Sequence, residues 1–189
     1  FGNVNWPKMW QATWETVWMT VVSMILVAIL GLILGLILFE TQKRTSAWAK
    51  IINWIVAALV NVFRSIPFII LIVLLLPATQ AMVGTIIGPR AALPSLIISA
   101  APFYARLVQI AFDDLDHGVI EAAKAMGATN WQIVTKVLIP ESKPALVSGL
   151  TVTAISLIGY TAMAGAIGAG GLGNLGIQFA HNVFGAHVI

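Results

Sequence analysis

The side chains of this chain that could do chemistry gather in one place. Five of its seven carboxylates, Asp113, Asp114, Asp116, Glu121 and Glu141, lie between Asp113 and Lys143, beside the bases Lys124, Lys136 and Lys143. Inside that stretch Glu121-Ala122-Ala123 is followed by Gly127 and then by Val137-Leu138-Ile139-Pro140. It contains no clustered catalytic dyad, and its excess of acids over bases argues against a nucleic-acid reader, which would need a basic face for phosphates. The absence of cysteine excludes disulfides, thiolate metal sites and cysteine nucleophiles. His117, His181 and His187 show no ligand spacing, so no metal site is expected. Gly168-Ala169-Gly170-Gly171-Leu172-Gly173 satisfies a dinucleotide-type glycine pattern, but no acid follows Glu141 to hold a ribose and there is no Gly-Lys-Ser/Thr to hold a phosphate. No catalytic residue and no bound cofactor are expected. What remains is recognition of another protein.

The elements that must position these residues follow from local signals. Asp116 and Gly118 precede a helically spaced run, Val119, Ile120, Ala123 and Met126, and Gly127 suits the left-handed residue that closes a helix. Thr129-Asn130-Trp131-Gln132 reads as a capping box that opens a second helix, which Pro140 is expected to stop. A short helix, a glycine elbow and another short helix make a compact knob. Such a knob can carry force between two proteins.

Composition supplies the setting: 59% hydrophobic residues, 9% charged residues and a mean hydropathy of +0.95 describe an all-α integral membrane protein, not a water-soluble domain. Four stretches are long enough to cross a hydrocarbon core: 17–39, 51–76 (disturbed by Arg64 and Pro67), 91–111 (with Pro94 and Pro102) and 145–167. Gly31-x-x-x-Gly35 fits a helix-packing seam, and Trp6, Trp10, Trp14, Trp48 and Trp54 fit an aromatic belt near the span ends. The polar, tryptophan-rich start does not resemble a cleavable signal, so the first span is expected to direct insertion. Lys43, Arg44 and Lys50 follow the first span and Lys124, Lys136 and Lys143 follow the third, against Lys8 and Arg90 on the intervening sides. The positive-inside rule therefore puts both base-rich loops in the cytoplasm and the N-terminus outside.

Arg64 falls inside the second predicted span, where a cation must find carbonyls, water or a partner, and it is a candidate for the translocation path or for simple anchoring. Tyr160 and Met163 share one face of the fourth span, with Gly159, Ala162, Ala164 and Gly165 expected to leave room beside them. A thioether and a phenol on such a face could hold an apolar amino-acid side chain weakly, or could merely pack. An ion-coupled secondary transporter would place acids or histidines inside its spans; here the acids sit at span ends or in the loop. A non-transporting assembly subunit is the other alternative. The glycine-rich stretch reads either as a flexible extracytoplasmic turn or as a moving loop near an outer gate.

The spacing of Glu121, Gly127 and Pro140 resembles the signature loop of binding-protein-dependent ABC importer permeases, with Val137-Leu138-Ile139-Pro140 a conservative departure from the family's Ile-x-Leu-Pro ending. The resemblance implies a type I importer bundle of about five spans and a coupling role for Glu121, Ala122, Ala123, Gly127 and Pro140 against a cytoplasmic ATPase. It makes 1–189 a single permease domain with 113–143 as its coupling loop. The segments 61–70, 100–106 and 159–165 are similar to those of methionine importer permeases in this family, which implies a central cavity near Tyr160 and Met163. The further implications are a bacterial inner-membrane location, a second copy of this chain, two ATPase copies that bind ATP and Mg²⁺, and a methionine-binding lipoprotein. Residues 176–189 are too short for another span, so the family's final helix looks truncated or absent.

Overall fold

The fold is seen in a computed structural model that describes residues 5–185. Its longest element, α1 (Trp6–Gln42), begins where the Asn5 side chain accepts the Lys8 N–H at 3.2 Å and Pro7 occupies the first turn. At about 1.5 Å per residue it is roughly 55 Å long, so it outruns a hydrocarbon core at its ends. α5 (Pro89–Asp113) lies against it as the central element of the bundle. Gly31 and Gly35 make that approach possible. A Cβ at Gly31 would stand 2.5 Å from Tyr104 Cδ1, and one at Gly35 would stand 2.5 Å from Val108 Cγ1 and 2.8 Å from the Ala105 carbonyl. The expected small-residue seam is therefore real, and its partner is α5.

The second expected span is not one helix. α2 (Ala47–Ser65) ends at Ile66, whose ψ of 123° is the extended conformation that a following proline imposes, and α3 (Phe68–Leu74) and α4 (Leu76–Val83) follow as short pieces. Arg64 thus lies in the last turn of α2, exposed, where a cation complements the helix dipole, and not in mid-helix. Two hydrogen bonds from Asn53 Nδ2, to the Leu38 carbonyl at 3.1 Å and to Thr41 Oγ1 at 3.0 Å, fix the start of α2 on the end of α1.

Pro140 does not stop a helix. α6 (His117–Ala125) and α7 (Asn130–Ile133) form the expected pair, but α7 runs through a π turn at Val134–Leu138 directly into α8 (Ile139–Ala166). Pro140 lacks an N–H and in α register would press on the Lys136 carbonyl; the chain absorbs the misfit by widening one turn, with the Ile139 N–H reaching back to the Val134 carbonyl. Among the described residues, helix 130–166 is one of four long enough and apolar enough to cross a membrane, with 6–42, 47–65 and 89–113. Tyr104 Oη donates to the Leu146 carbonyl at 3.3 Å and Ser142 Oγ to the Ala111 carbonyl at 3.4 Å, joining α8 to α5.

The chain closes with α9 (Gly171–Gly185), packed on α8 and α1. It starts five residues before the expected short tail because α1 caps it. The Gly171 N–H donates to Glu15 Oε2 at 2.8 Å and the Leu172 N–H to Thr16 Oγ1 at 2.9 Å. A carboxylate at a helix N-terminus meets both the free N–H groups and the favourable end of the dipole. The glycine-rich turn is therefore pinned. Residues 186–189 of the tail, His187 included, lie outside the described residues.

Because α1 and α5 meet through hydrogen atoms at Gly35, a leucine there must push the helices apart. Gly35→Leu is expected to cost about 1–3 kcal/mol, the range for overpacking a tight contact. Denaturant unfolding of the purified protein in detergent measures this. An unchanged midpoint would show that the seam does not hold the pair.

Candidate functional site

The knob is built from local chemistry. Asp116 Oδ1 accepts the Gly118 N–H at 2.8 Å and opens α6. At the other end Gly127 has φ +81°, the Gly127 N–H donates to the Lys124 carbonyl at 2.9 Å and the Ala128 N–H to the Ala123 carbonyl at 3.1 Å. This is a Schellman closure, which needs a left-handed residue at that one position. Open space surrounds the Gly127 Cα, so backbone conformation and not crowding demands glycine. The capping box is formed as expected: Thr129 Oγ1 accepts the Gln132 N–H at 3.3 Å, and the Thr129 N–H donates to Gln132 Oε1 at 2.8 Å.

The two alanines differ in role. Ala123 is buried with Ile133 and Leu138 in the main core, which continues into Phe39 of α1 and Phe112 of α5, themselves edge to face at 5.5 Å. Ala122 and Glu121 are exposed. The knob is therefore bonded to the bundle by its inner face and free on its outer face. There Met126 is 82% and Trp131 74% exposed, large apolar side chains of the kind that anchor protein interfaces. Beside them a cleft of about 540 Å³ is lined by Glu40, Lys43, Arg44, His117, Glu121 and Lys124. Arg44 pairs with Glu40 at 3.6 Å, and the Lys43 ammonium lies 4.0 Å from the centre of the Phe39 ring. The charges of this end are mixed and partly self-paired, as suits a protein partner. Pro140 is exposed at the head of α8, directly after the widened turn.

The candidate pathway residues are only partly brought together. Tyr160 stacks on Phe68 of α3, with ring centres 4.7 Å apart and planes within 10°, just after the Pro67 break. Met163, one turn farther along α8, is 48% exposed. The expected room beside them is smaller than the composition suggests. A Cβ at Gly165 would collide with the Asn174 N, and one at Gly173 with the Ala162 carbonyl, so Gly165 and Gly173 serve the crossing of α8 with α9, whereas Gly159 opens onto space and Ala162 is exposed. Among the described residues Arg64 makes no ion pair and contacts neither side chain through a hydrogen bond.

One feature of this end has no local signature in the sequence. Asn61 of α2, Arg106 and Gln109 of α5, Gln42 of α1 and Asp113 form a continuous string of side-chain hydrogen bonds. Gln109 is buried within it. The only trace in the sequence is that amides and a cation occupy otherwise apolar helices; which of them meet is decided by the packing.

Residues 29–184 match the family model described as binding-protein-dependent transport system inner membrane component. The methionine import system permease protein MetP of Bacillus subtilis is 65% identical over 138 residues, which are 73% of this chain and 62% of that protein. The D-methionine transport system permease protein MetI of Escherichia coli K12 is 56% identical over 110 residues, 58% of this chain and 51% of that protein. The matches thus span between half and two thirds of these relatives. Among solved structures, a chain of the MetNI methionine ABC transporter in inward-facing conformation aligns with a TM-score of 0.87 at 48% identity, covering 93% of this chain and 83% of that one. An amino acid ABC transporter at 21% identity shares the fold, with a TM-score of 0.65. This chain belongs to the family of binding-protein-dependent transport system inner-membrane components.

Proposed function

We propose that this chain is the membrane-spanning permease subunit of an ATP-driven methionine importer. It works as a pair of copies with two copies of a separate ATPase, which binds the ATP and Mg²⁺, and receives substrate from a methionine-binding lipoprotein. The observation that carries this reading is the knob: two capped helices around a left-handed Gly127, bonded inward through Ala123 and presenting Glu121, Met126 and Trp131 outward. The likeness to the MetNI chain supports both the ATPase partner and the substrate.

In this reading ATP binding draws the two ATPase subunits together, the docked knobs follow, and the bundles rock to open the pore outward; hydrolysis reverses the movement. Helix 130–166 suits that task because it carries the knob and a membrane span without a joint between them. Orientation follows from charge. Lys43, Arg44 and Lys124 line one cleft and so lie at one end of the bundle, and the positive-inside rule makes that end cytoplasmic and the N-terminus external. Tyr160 and Met163 line the path for the methionine side chain, with Phe68 behind Tyr160. Arg64, at the break between α2 and α3, belongs to the same path.

Gly127→Val places a β-branched residue at φ +81° and is expected to reduce ATP-driven methionine uptake in proteoliposomes at least tenfold, with insertion retained. Gly127→Asn, which tolerates that conformation, should keep most of the uptake. Equal uptake by the valine variant and the parent would remove the coupling assignment. Single cysteines at positions 43, 90 and 136 of this cysteine-free chain test the orientation: an impermeant thiol reagent on intact cells should label 90 alone, and labelling of 136 without 90 reverses the topology. Met163→Ala and Tyr160→Ala should alter the methionine rate or its preference over leucine while the complex still assembles. If both variants assemble and transport as the parent does, these side chains only pack.

A further inference from the structure

The string of polar side chains at the knob end is an ion pair drawn out through two amides. Arg106 Nη1 donates to Gln109 Oε1 at 2.7 Å, Gln109 Nε2 donates to Gln42 Oε1 at 2.7 Å, and Gln42 Nε2 donates to Asp113 Oδ1 at 2.6 Å. The cation stands at one end and the carboxylate at the other, and every amide uses its donor toward Asp113 and its acceptor toward Arg106. Reversing either amide would set donor against donor, so the string has one direction and its members polarise one another. The second arm of the guanidinium, Nη2, donates to Asn61 Oδ1 on α2 at 3.3 Å. Three helices are thus tied by four consecutive bonds.

Its two ends are the informative part. Asp113 is the last residue of α5, three residues before the Asp116 that caps the knob's first helix. A carboxylate at a helix C-terminus opposes the macrodipole, so helix stability alone does not favour an acid there. Asn61 is one turn before Ser65, whose hydroxyl donates to the Asn61 carbonyl at 2.8 Å; beyond Ser65 come the extended Ile66, Pro67, and the Phe68 that stacks on Tyr160. The string therefore connects the root of the knob with the joint between α2 and α3.

We infer that the Asp113–Gln42–Gln109–Arg106–Asn61 string is the link that carries displacement of the knob to the α2–α3 joint, with Arg106 and Gln109 as its positioning residues. This rests on the importer reading above. An apolar contact between these helices could slide, whereas directional bonds to a buried amide either hold the register or break. Arg106 is the one member that must be a fork, since it serves Gln109 and Asn61 with separate nitrogens. A lysine offers a single ammonium and cannot reproduce that geometry.

The test uses the full importer, the chain reconstituted with its ATPase and binding protein in proteoliposomes, and reads ATP hydrolysed per methionine imported. Uptake by the parent complex establishes the importer reading separately; its absence overturns that reading and not the string. Given parent uptake, Arg106→Lys, Asn61→Leu and Asp113→Ala are each expected to raise the ATP consumed per methionine about 5- to 10-fold, the lower part of the usual range for coupling between sites, with the hydrolysis rate itself within about twofold. Asp113→Asn, which keeps an acceptor for Gln42, should recover most of the ratio. Asn61 and Asp113 are both exposed, so these changes leave the core intact. If the two act through one string, the Asn61→Leu/Asp113→Ala double variant is no worse than the more severe single. An unchanged ratio in the singles, or additive losses in the double, overturns the inference.

Discussion

The contact of α1 with α5 at Gly31 and Gly35 is the constraint on which the remaining elements depend. In hydrocarbon there is no gain from burying one apolar side chain against another in place of a lipid tail, so helices associate where their backbones can approach closely. Here the ring of Tyr104 and the side chain of Val108 occupy the places that side chains at 31 and 35 would need. The consequences spread in both directions along the pair. At one end the approach brings Phe39 to Phe112 and Gln42 to Gln109 and Asp113, which gives the knob a floor. At the other, α1 extends past the seam far enough for Glu15 and Thr16 to receive the first N–H groups of α9.

Tyr104 shows how one residue can serve two interfaces. Its ring fills the recess left by Gly31, while its hydroxyl reaches across to the carbonyl of Leu146 on α8. A buried phenol needs a partner, and a backbone carbonyl has a second lone pair to offer beside its own helical bond. The other polar tie between α8 and α5 also ends on a carbonyl, that of Ala111 in the last turn of α5, which accepts from Ser142 Oγ.

What could be read from the amino-acid sequence was what depends on neighbours in the chain. The cap at Asp116, the left-handed closure at Gly127, the capping box at Thr129 and Gln132 and the small-residue seam are all set by residues within a few positions of one another, and each is present. Pro140 was misleading because a proline in a helical pattern has two outcomes, a stop or a repaired turn, and the choice depends on whether the segments on both sides have somewhere to pack. Ile133 and Leu138 do, in the same core. The string from Asn61 to Asp113 and the cap from Glu15 to Gly171 join residues 52 and 156 positions apart, too far for any periodicity to betray. Gly165, whose small size suggested open space, is small because another helix fills it.

The widened turn at Val134–Leu138 has a geometric meaning of its own. An α-helix turns its side chains by about 100° per residue, so a π turn, which holds one extra residue, resets the angular phase between the parts of the helix before and after it. In this chain it sets the compass bearing of Trp131, on the outer face of the knob, against that of Leu146 and Leu157, which face the core. Removing a single residue here, and so restoring regular α geometry, would leave both faces intact and aim them roughly 100° apart from their present alignment. The partner-facing and core-facing surfaces of this one continuous rod are kept in step by a local defect in its winding.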